Sequence, residues 1–384
     1  MPNQFVIYGK ISPVKETEKF KPIERKTFES SKWTNTNVRF NVISGTNRIM
    51  CSVQGGKWSD DSRNVVKTFG QVPDDGGKRP MIDIAWDKRF DDEEIEKVAG
   101  FRRLVVDLDN KATRSNLYNL VKAFEKGEVT DEMINESGYD TKEAAEEALD
   151  KSNKRKHTFI TEWDFAEYMA KVVTSDKIKG KIFKITGTQE IQYSKGKFYS
   201  NYKVNRVELA NDEEMRTSMN VDFFFADDCI DVDDGIARIN GWSTYYDSSL
   251  KKNGFYPICI VSRGGDKEIK GLKRKLAVGD SEIANVGLVV NIIDGADIVP
   301  ITYDDLSDEE KADIDDGFIT LEEIKKAMNG GKVGDRITEL RYVGLNPRKR
   351  TIEATTYTVE DMRPAVANVT NDKVDIFDDE DEDL

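Results

Sequence analysis

Between Val38 and Val53 hydrophobic residues recur at every second position. Val38, Phe40 and Val42 precede the SGTN turn (Ser44 to Asn47), and Ile49, Cys51 and Val53 follow it. The alternate positions hold Asn37, Arg39 and Asn41, then Arg48, Met50 and Ser52. A period of two belongs to a pleated strand, so this stretch reads as a hairpin with one buried and one wet face. Strand-like runs also occupy 5–11 (FVIYGKI), 65–69, 81–86 and 102–108, divided by Gly-, Asp- and Pro-rich loops such as 72–80. Several short strands at this spacing predict a small barrel or sandwich.

From about 113 to 174 the period lengthens. Leu117, Leu120, Val121 and Phe124 form one helical stripe; Thr141 and Thr161 each open a further helix, the last with Trp163, Ala166, Met169, Ala170 and Val173 on one side. Strand patterns return near Lys177 and recur at 221–226, 237–246, 254–262 and 286–293, with 336–344 and 350–358 reading as a late hairpin. Short helices are expected at 308–313 and 321–328. The expected organisation is an N-terminal barrel-like unit over 1–112, a helical insertion over 113–174, a second β unit over 175–366 with helices near 307–329, and an acidic tail over 367–384.

The net charge of −14 argues against a phosphate-bearing partner until its distribution is considered. Residues 1–80 hold fourteen Lys/Arg against eight Asp/Glu, and 176–210 hold eight against three, while 372–384 hold eight acids and one lysine. Positive blocks are therefore separated from a negative end. In the segment KGKFYSNYKVNR, Phe198, Tyr202 and Val204 face a core, while Lys197, Tyr199, Asn201, Lys203 and Asn205 face outward, with a bulge near Asn205. Cations, amides and an aromatic ring on one strip suit single-stranded DNA, whose bases stack and whose phosphates need neutralising. Tyr193, Lys195 and Arg206 flank this strip. Trp33, Lys57, Trp58, Arg39 and Arg48 offer a similar mixture in the N-terminal unit. Lys21, Arg25, Lys26 and Lys32 lie with Phe20 and Phe28 in a segment read as a loop, and 263–275 and 347–350 read as further basic loops.

The chain closes on Phe377, Asp378, Asp379, Glu380, Asp381, Glu382, Asp383 and Leu384. Like charges repel and nothing apolar repeats, so this tail is expected to be disordered. Its carboxylates can mimic a phosphate backbone, and its apolar residues can engage proteins. A β-rich body with basic and aromatic strands plus such a tip resembles bacterial and bacteriophage single-stranded DNA-binding proteins, and KIFKITGTQEIQYSKGKFYSNYKVNRVEL is similar to the early strands of an OB-fold. The resemblance implies a mainly β fold (α+β) with one or two OB-like barrels and a helical insertion. It implies a non-enzymatic role in DNA replication and recombination, with replication or recombination proteins recruited through the tail. The terminal residue here is leucine rather than phenylalanine, and the chain exceeds one barrel.

Other chemistries find little support. His157 is the sole histidine, Cys51, Cys229 and Cys259 have no CxxC partner, and no GxxxxGK[ST] occurs. Neither a catalytic set nor a metal site or cofactor is expected. The cysteine usage fits a reducing cytoplasm, that of a bacterial host for a phage protein, and no run of apolar residues suits a membrane span. Around Gly317 an EF-hand register would place Ala312 and Ile314 at ligand positions, so capping boxes at Ser307/Glu310 and Thr320/Glu323 with an Ile319–Ile324 staple explain 307–324 better. Two alternatives remain: a Mg²⁺-dependent nuclease using the Asp clusters at 106–110 and 227–235, and an acidic DNA mimic or adaptor.

Overall fold

The computed structural model describes residues 3–362 apart from 18–19, 75, 211–214, 248–250, 280–281, 301, 304–305 and 328–330. The acidic residues 377–384 therefore lie outside the described residues.

The expected hairpin is present. β1 (Gln4–Pro13) and β2 (Ile23–Phe28) are followed by β3 (Trp33–Ser44) and β4 (Asn47–Trp58), which pair from Trp33↔Trp58 to Ser44↔Asn47. Val38, Phe40, Val42, Ile49, Cys51 and Val53 are all buried, as their alternation requires. β5 (Val65–Phe69) and β6 (Met81–Ala85) form a separate two-stranded sheet. After α1 (Asp92–Lys97) comes β7 (Leu104–Asp107), then the helices α2 (Lys111–Lys126), α3 (Asp131–Ser137) and α4 (Lys142–Asn153), then β8 (Lys156–Phe159) and α5 (Glu162–Val173). The Thr141 and Thr161 side chains accept the backbone N–H of Ala144 and Asp164, so both sequence-read N-caps operate.

β9 (Ile182–Ser194) and β10 (Lys197–Leu209) close the first ring. β1 pairs antiparallel with β9 and β3, β9 with β10, and β10 runs parallel to β4 at Tyr202↔Cys51 and Lys203↔Ser52. Numbered within the ring, the order is 1-2-3-5-4-1, the connectivity of an OB-fold. α5 sits between the third and fourth strands and seals one end of the barrel with Phe165, Ala166, Met169 and Ala170. That end is tight: a Cβ on Gly55 would lie 2.1 Å from the carbonyl of Glu162. The β10 register shifts between Val204 and Arg206, placing the bulge at Asn205 as expected.

The remaining strands repeat this plan. β11 (Arg216–Phe225) is followed by the short β12 (Ile230–Asp233), β13 (Ile236–Asp247), β14 (Lys252–Ser262), α6 (Gly265–Lys275), β15 (Ala284–Pro300), α7 (Asp308–Asp315), α8 (Leu321–Ala327), β16 (Gly331–Leu345) and β17 (Glu353–Ala354). β11, β13, β14, β16 and β15 make a second ring, with β14 and β16 parallel at Ile260↔Leu340 and β15 returning to β11. Both barrels share one hydrophobic core. β1 pairs with β11 from Gln4↔Asn220 to Tyr8↔Arg216. At this junction buried Asn3 donates to Gln189 (3.0 Å) and the Tyr256 hydroxyl (2.9 Å) and accepts from the Asp222 backbone N–H (3.1 Å) and the Ser243 hydroxyl (3.2 Å). Burial pushes the Tyr256 hydroxyl up to about 12.

The protein is thus mainly β with helical insertions, but several local assignments change. Residues 182–209 belong by pairing to the first ring rather than to the second β unit, because β1 and β4 supply their partners. Residues 23–28 are not loop but a strand along β3. The basic segment 263–275 is mostly helix, since Ile269 and Leu272 bury one face in the second barrel. The stretches 336–344 and 350–358 do not pair with each other: β16 adds to β14 and β15, and β17 pairs with β15 at Asn285 and Ala284. Both capping boxes near 307–324 form, and Ile324 is buried with Ile319 beside it.

Candidate nucleic-acid interface

Alternation assigns each outer side chain of the first barrel. On β3 the odd residues Trp33, Asn35, Asn37 and Arg39 face out; on β4 the even residues Arg48, Met50, Ser52, Gln54 and Trp58 do. On β10, Tyr199, Asn201 and Lys203 continue this surface across the parallel seam, where Asn201 and the Ser52 hydroxyl are hydrogen-bonded at 2.7 Å.

The register creates a feature that sequence reading missed. Phe28, Trp33 and Trp58 stand directly opposite one another on β2, β3 and β4. They form one aromatic row across three strands spaced about 4.8 Å apart. Phe28 is 42% exposed. Trp33 and Trp58 meet edge to face with centroids 5.0 Å apart. The Trp33 ring lies across Gly56, where a Cβ would stand 2.4 Å from the indole, so only glycine admits this placement. The Arg63 guanidinium is 3.9 Å from the Trp58 centroid, and the Lys26 ammonium is 5.1 Å from that of Phe28. Asn64 fixes Trp58 by accepting its backbone N–H (2.9 Å) and donating to its carbonyl (3.0 Å). The missing clue was pairing: the aromatics are visible in sequence, but their common row needs the β2–β3 register.

At the other end of the face, Lys195 and Gly196 form the β9–β10 turn, both with positive φ (49° and 75°), which is the geometry of a tight two-residue hairpin. Lys195 and Lys197 are exposed, and Tyr199 is 53% exposed. Arg39 stands mid-face, 3.6 Å from Glu24 and 5.2 Å from the Phe20 ring, and donates to the Lys21 carbonyl. Lys203 lies between Glu162 (2.9 Å) and Glu190 (3.2 Å). Burial alone would lower its pKa, but the two carboxylates outweigh this and raise it. Lys203 is therefore a charged but locally neutralised member of the face. Arg48 is exposed at the start of β4.

Three of the expected residues stand elsewhere. Lys57 points to the opposite side of β4 from Trp58; its ammonium is 3.1 Å from Asp61 and 5.8 Å from the Trp163 ring. The Tyr193 ring packs on Phe198 at 4.7 Å, and Phe198 reaches Tyr245 and Tyr256 of the second barrel. Arg206 follows the bulge, beside Glu208 and β7.

The Asp clusters are engaged structurally. Asp107 is buried and accepts two bonds from Arg114 at 2.6 and 2.8 Å, which holds the guanidinium above its usual pKa. Asp228 and Asp234 occupy positive-φ positions flanking β12. Among the described residues no group of three or more His, Cys, Asp or Glu side chains is arranged to hold a metal ion, and no helix is long and apolar enough to cross a membrane.

No family model matches the chain, and no curated protein is significantly similar to it in sequence. Among solved structures, a deletion mutant of the single-stranded DNA-binding protein from Thermus aquaticus is similar at 7% identity over 76% of this chain and 86% of that chain, with a TM-score of 0.27. At that score neither fold nor function is read from the likeness.

Proposed function

We propose that this protein binds single-stranded DNA without base-specific readout and without catalysis, along the outer face of its first barrel. The observation that carries the reading is the Phe28–Trp33–Trp58 row. Outer strands two and three and the loops bounding them are where OB barrels hold oligonucleotides. Aromatic rings there stack bases of any identity, each worth roughly 1–3 kcal/mol. Arg39, Arg48, Lys195, Lys197 and Lys203 serve the phosphates, Tyr199 adds a ring and Asn201 a polar contact; Lys57, Tyr193 and Arg206 act only as neighbours. Phosphates must compete with Glu162 and Glu190 for Lys203, and release of the strand's counterions makes affinity fall with salt at a log–log slope of about −0.7 per phosphate neutralised. The organisation proposed is two barrels, a helical insertion and an acidic tail. In this reading the tail competes with DNA and recruits replication or recombination proteins, in a phage-infected or bacterial cytoplasm.

Low-salt titration of single- and double-stranded oligonucleotides, followed by tryptophan fluorescence, tests the face. Preferential quenching by single strands is expected; equal or absent binding of both refutes the proposal. Adding Mg²⁺ to labelled strands separates it from the nuclease alternative, since intact strands are expected. Ending the chain after Ala367 should tighten binding, and equal affinity would remove the competing tail while leaving the face.

A further inference from the structure

On the far side of α5 lies a cavity of about 550 Å³ into which Lys154, Arg155, Lys171, Lys177 and Lys181 converge without a single carboxylate in its lining. That is unusual in a chain carrying 72 acids against 58 bases. Lys154 is paired with Asp150 at 2.6 Å, and Arg155 stands 3.7 Å from Asp109. Lys171, Lys177 and Lys181 are exposed, and among the described residues none is in an ion pair, although Glu167, one turn before Lys171, feels its charge. Beside these cations, the His157 imidazole and the Tyr168 ring lie with centroids 4.4 Å apart. Burial lowers the His157 pKa against the pull of Asp107, which favours the uncharged ring.

Cations around an aromatic pair, in a cavity within the usual small-ligand range of roughly 300–1,000 Å³, match a nucleotide: phosphates among the ammonium groups, base or sugar against the rings. We propose that this cavity is a nucleotide-phosphate site separate from the barrel face. It draws on the C-terminal half of α5, whereas Gly55 meets the N-terminus of that helix, and twelve residues span roughly 18 Å at 1.5 Å each. The site does not depend on the DNA-binding reading of the face. Its ligand can be a free nucleotide or one nucleotide of a passing strand.

The lone histidine makes the test clean, because its imidazole resonances in the full chain belong to His157 alone. At constant pH the chain is titrated with thymidine 5′-triphosphate and, separately, with a short oligothymidylate. A saturable His157 shift with the triphosphate assigns a free-nucleotide site, and one seen only with the oligonucleotide assigns a strand contact. Either supports the cavity. In a Lys177→Glu/Lys181→Glu variant the affinity read at His157 should fall roughly tenfold or more, as expected for lost charge-assisted contacts. Both positions are exposed, and an unchanged ligand-free spectrum verifies folding. The response to the triphosphate should persist in a Trp33→Ala/Trp58→Ala variant, which tells failure of this site from failure of the face. Absence of a saturable shift with both probes, or unaltered affinity in the folded lysine variant, overturns the proposal.

Discussion

The two barrels share one connectivity and differ in what they carry outside it. In the first barrel the connection between strands one and two includes β2 and carries Lys15, Lys21, Arg25, Lys26 and Lys32; Lys26 stands 5.1 Å from the Phe28 ring, while Arg25 is paired with Glu167 on the α5 side. In the second the same connection, 226–235, carries five aspartates and no cation. Two outer aromatics of the second barrel are covered, since Tyr357 packs on Phe224 (6.0 Å) and Phe255 (5.0 Å) with Met362 buried beside them, while Tyr246 stays 62% exposed. A largely apolar cleft near Trp242, Pro257 and Cys259 remains next to that acidic loop. Equivalent strands thus carry an aromatic row with cations beside it in one barrel and a partly covered aromatic set beside an acidic loop in the other. Topology supplies the platform, and outer-face residues decide whether a polyanion can approach it.

The sharpest way to break this comparison is to remove the row. A Trp33→Ala/Trp58→Ala variant should lose about 30-fold or more in single-strand affinity, taking two stacked bases at roughly 1–3 kcal/mol each. Trp242→Ala in the second barrel should leave affinity within about twofold, measured by anisotropy of a labelled strand. Comparable losses from both would show that the barrels share the work.

The junction comes next. Asn3→Leu deletes the side chain that serves four partners and leaves buried donors and acceptors unpaired, so unfolding free energy in urea should drop by about 1–3 kcal/mol. An unchanged midpoint would mean that the Asn3 network adds nothing to the β1–β11 pairing and the shared core.

Uncapping the second barrel is expected to separate stability from binding. Tyr357→Ala should cost about 1–2 kcal/mol, the edge-to-face contacts plus partial burial of the ring, without changing strand affinity. Tighter DNA binding in that variant would reveal a second face normally hidden by the C-terminal segment.

The smallest effect concerns Lys203. Glu162→Gln with Glu190→Gln removes its two competitors for phosphate and should raise affinity about threefold at low salt, with less gain at high salt. Loss of affinity would reverse the role assigned to those carboxylates.

Sequence alternation was enough to place the β3–β4 hairpin and its buried set, because burial acts on each strand locally, but Asn41 and Ser52 of the expected wet face are buried. The caps at Thr141, Thr161, Ser307 and Thr320 were equally legible, since each serves backbone groups within three residues. Strand partnership was not. Residues 182–209 read as the start of a new unit by proximity in the chain, yet their partners are β1 and β4, and the intervening helices conceal the return. Lys57 and Trp58 read as one platform because they are adjacent, but the pleat sends adjacent side chains to opposite faces. The mostly helical 263–275 looked like a basic loop because only Ile269 and Leu272 mark its buried side.

The amino-acid order by itself determined a β-rich body, its wet and dry faces, its capped helices and the separation of positive blocks from the acidic end, all properties carried by neighbouring residues. Tertiary structure alone decided that there are two rings of like connectivity, that Phe28, Trp33 and Trp58 stand in one row, and that Lys203 is already partnered. Those facts depend on pairing and packing between residues far apart in the chain, which no local periodicity encodes.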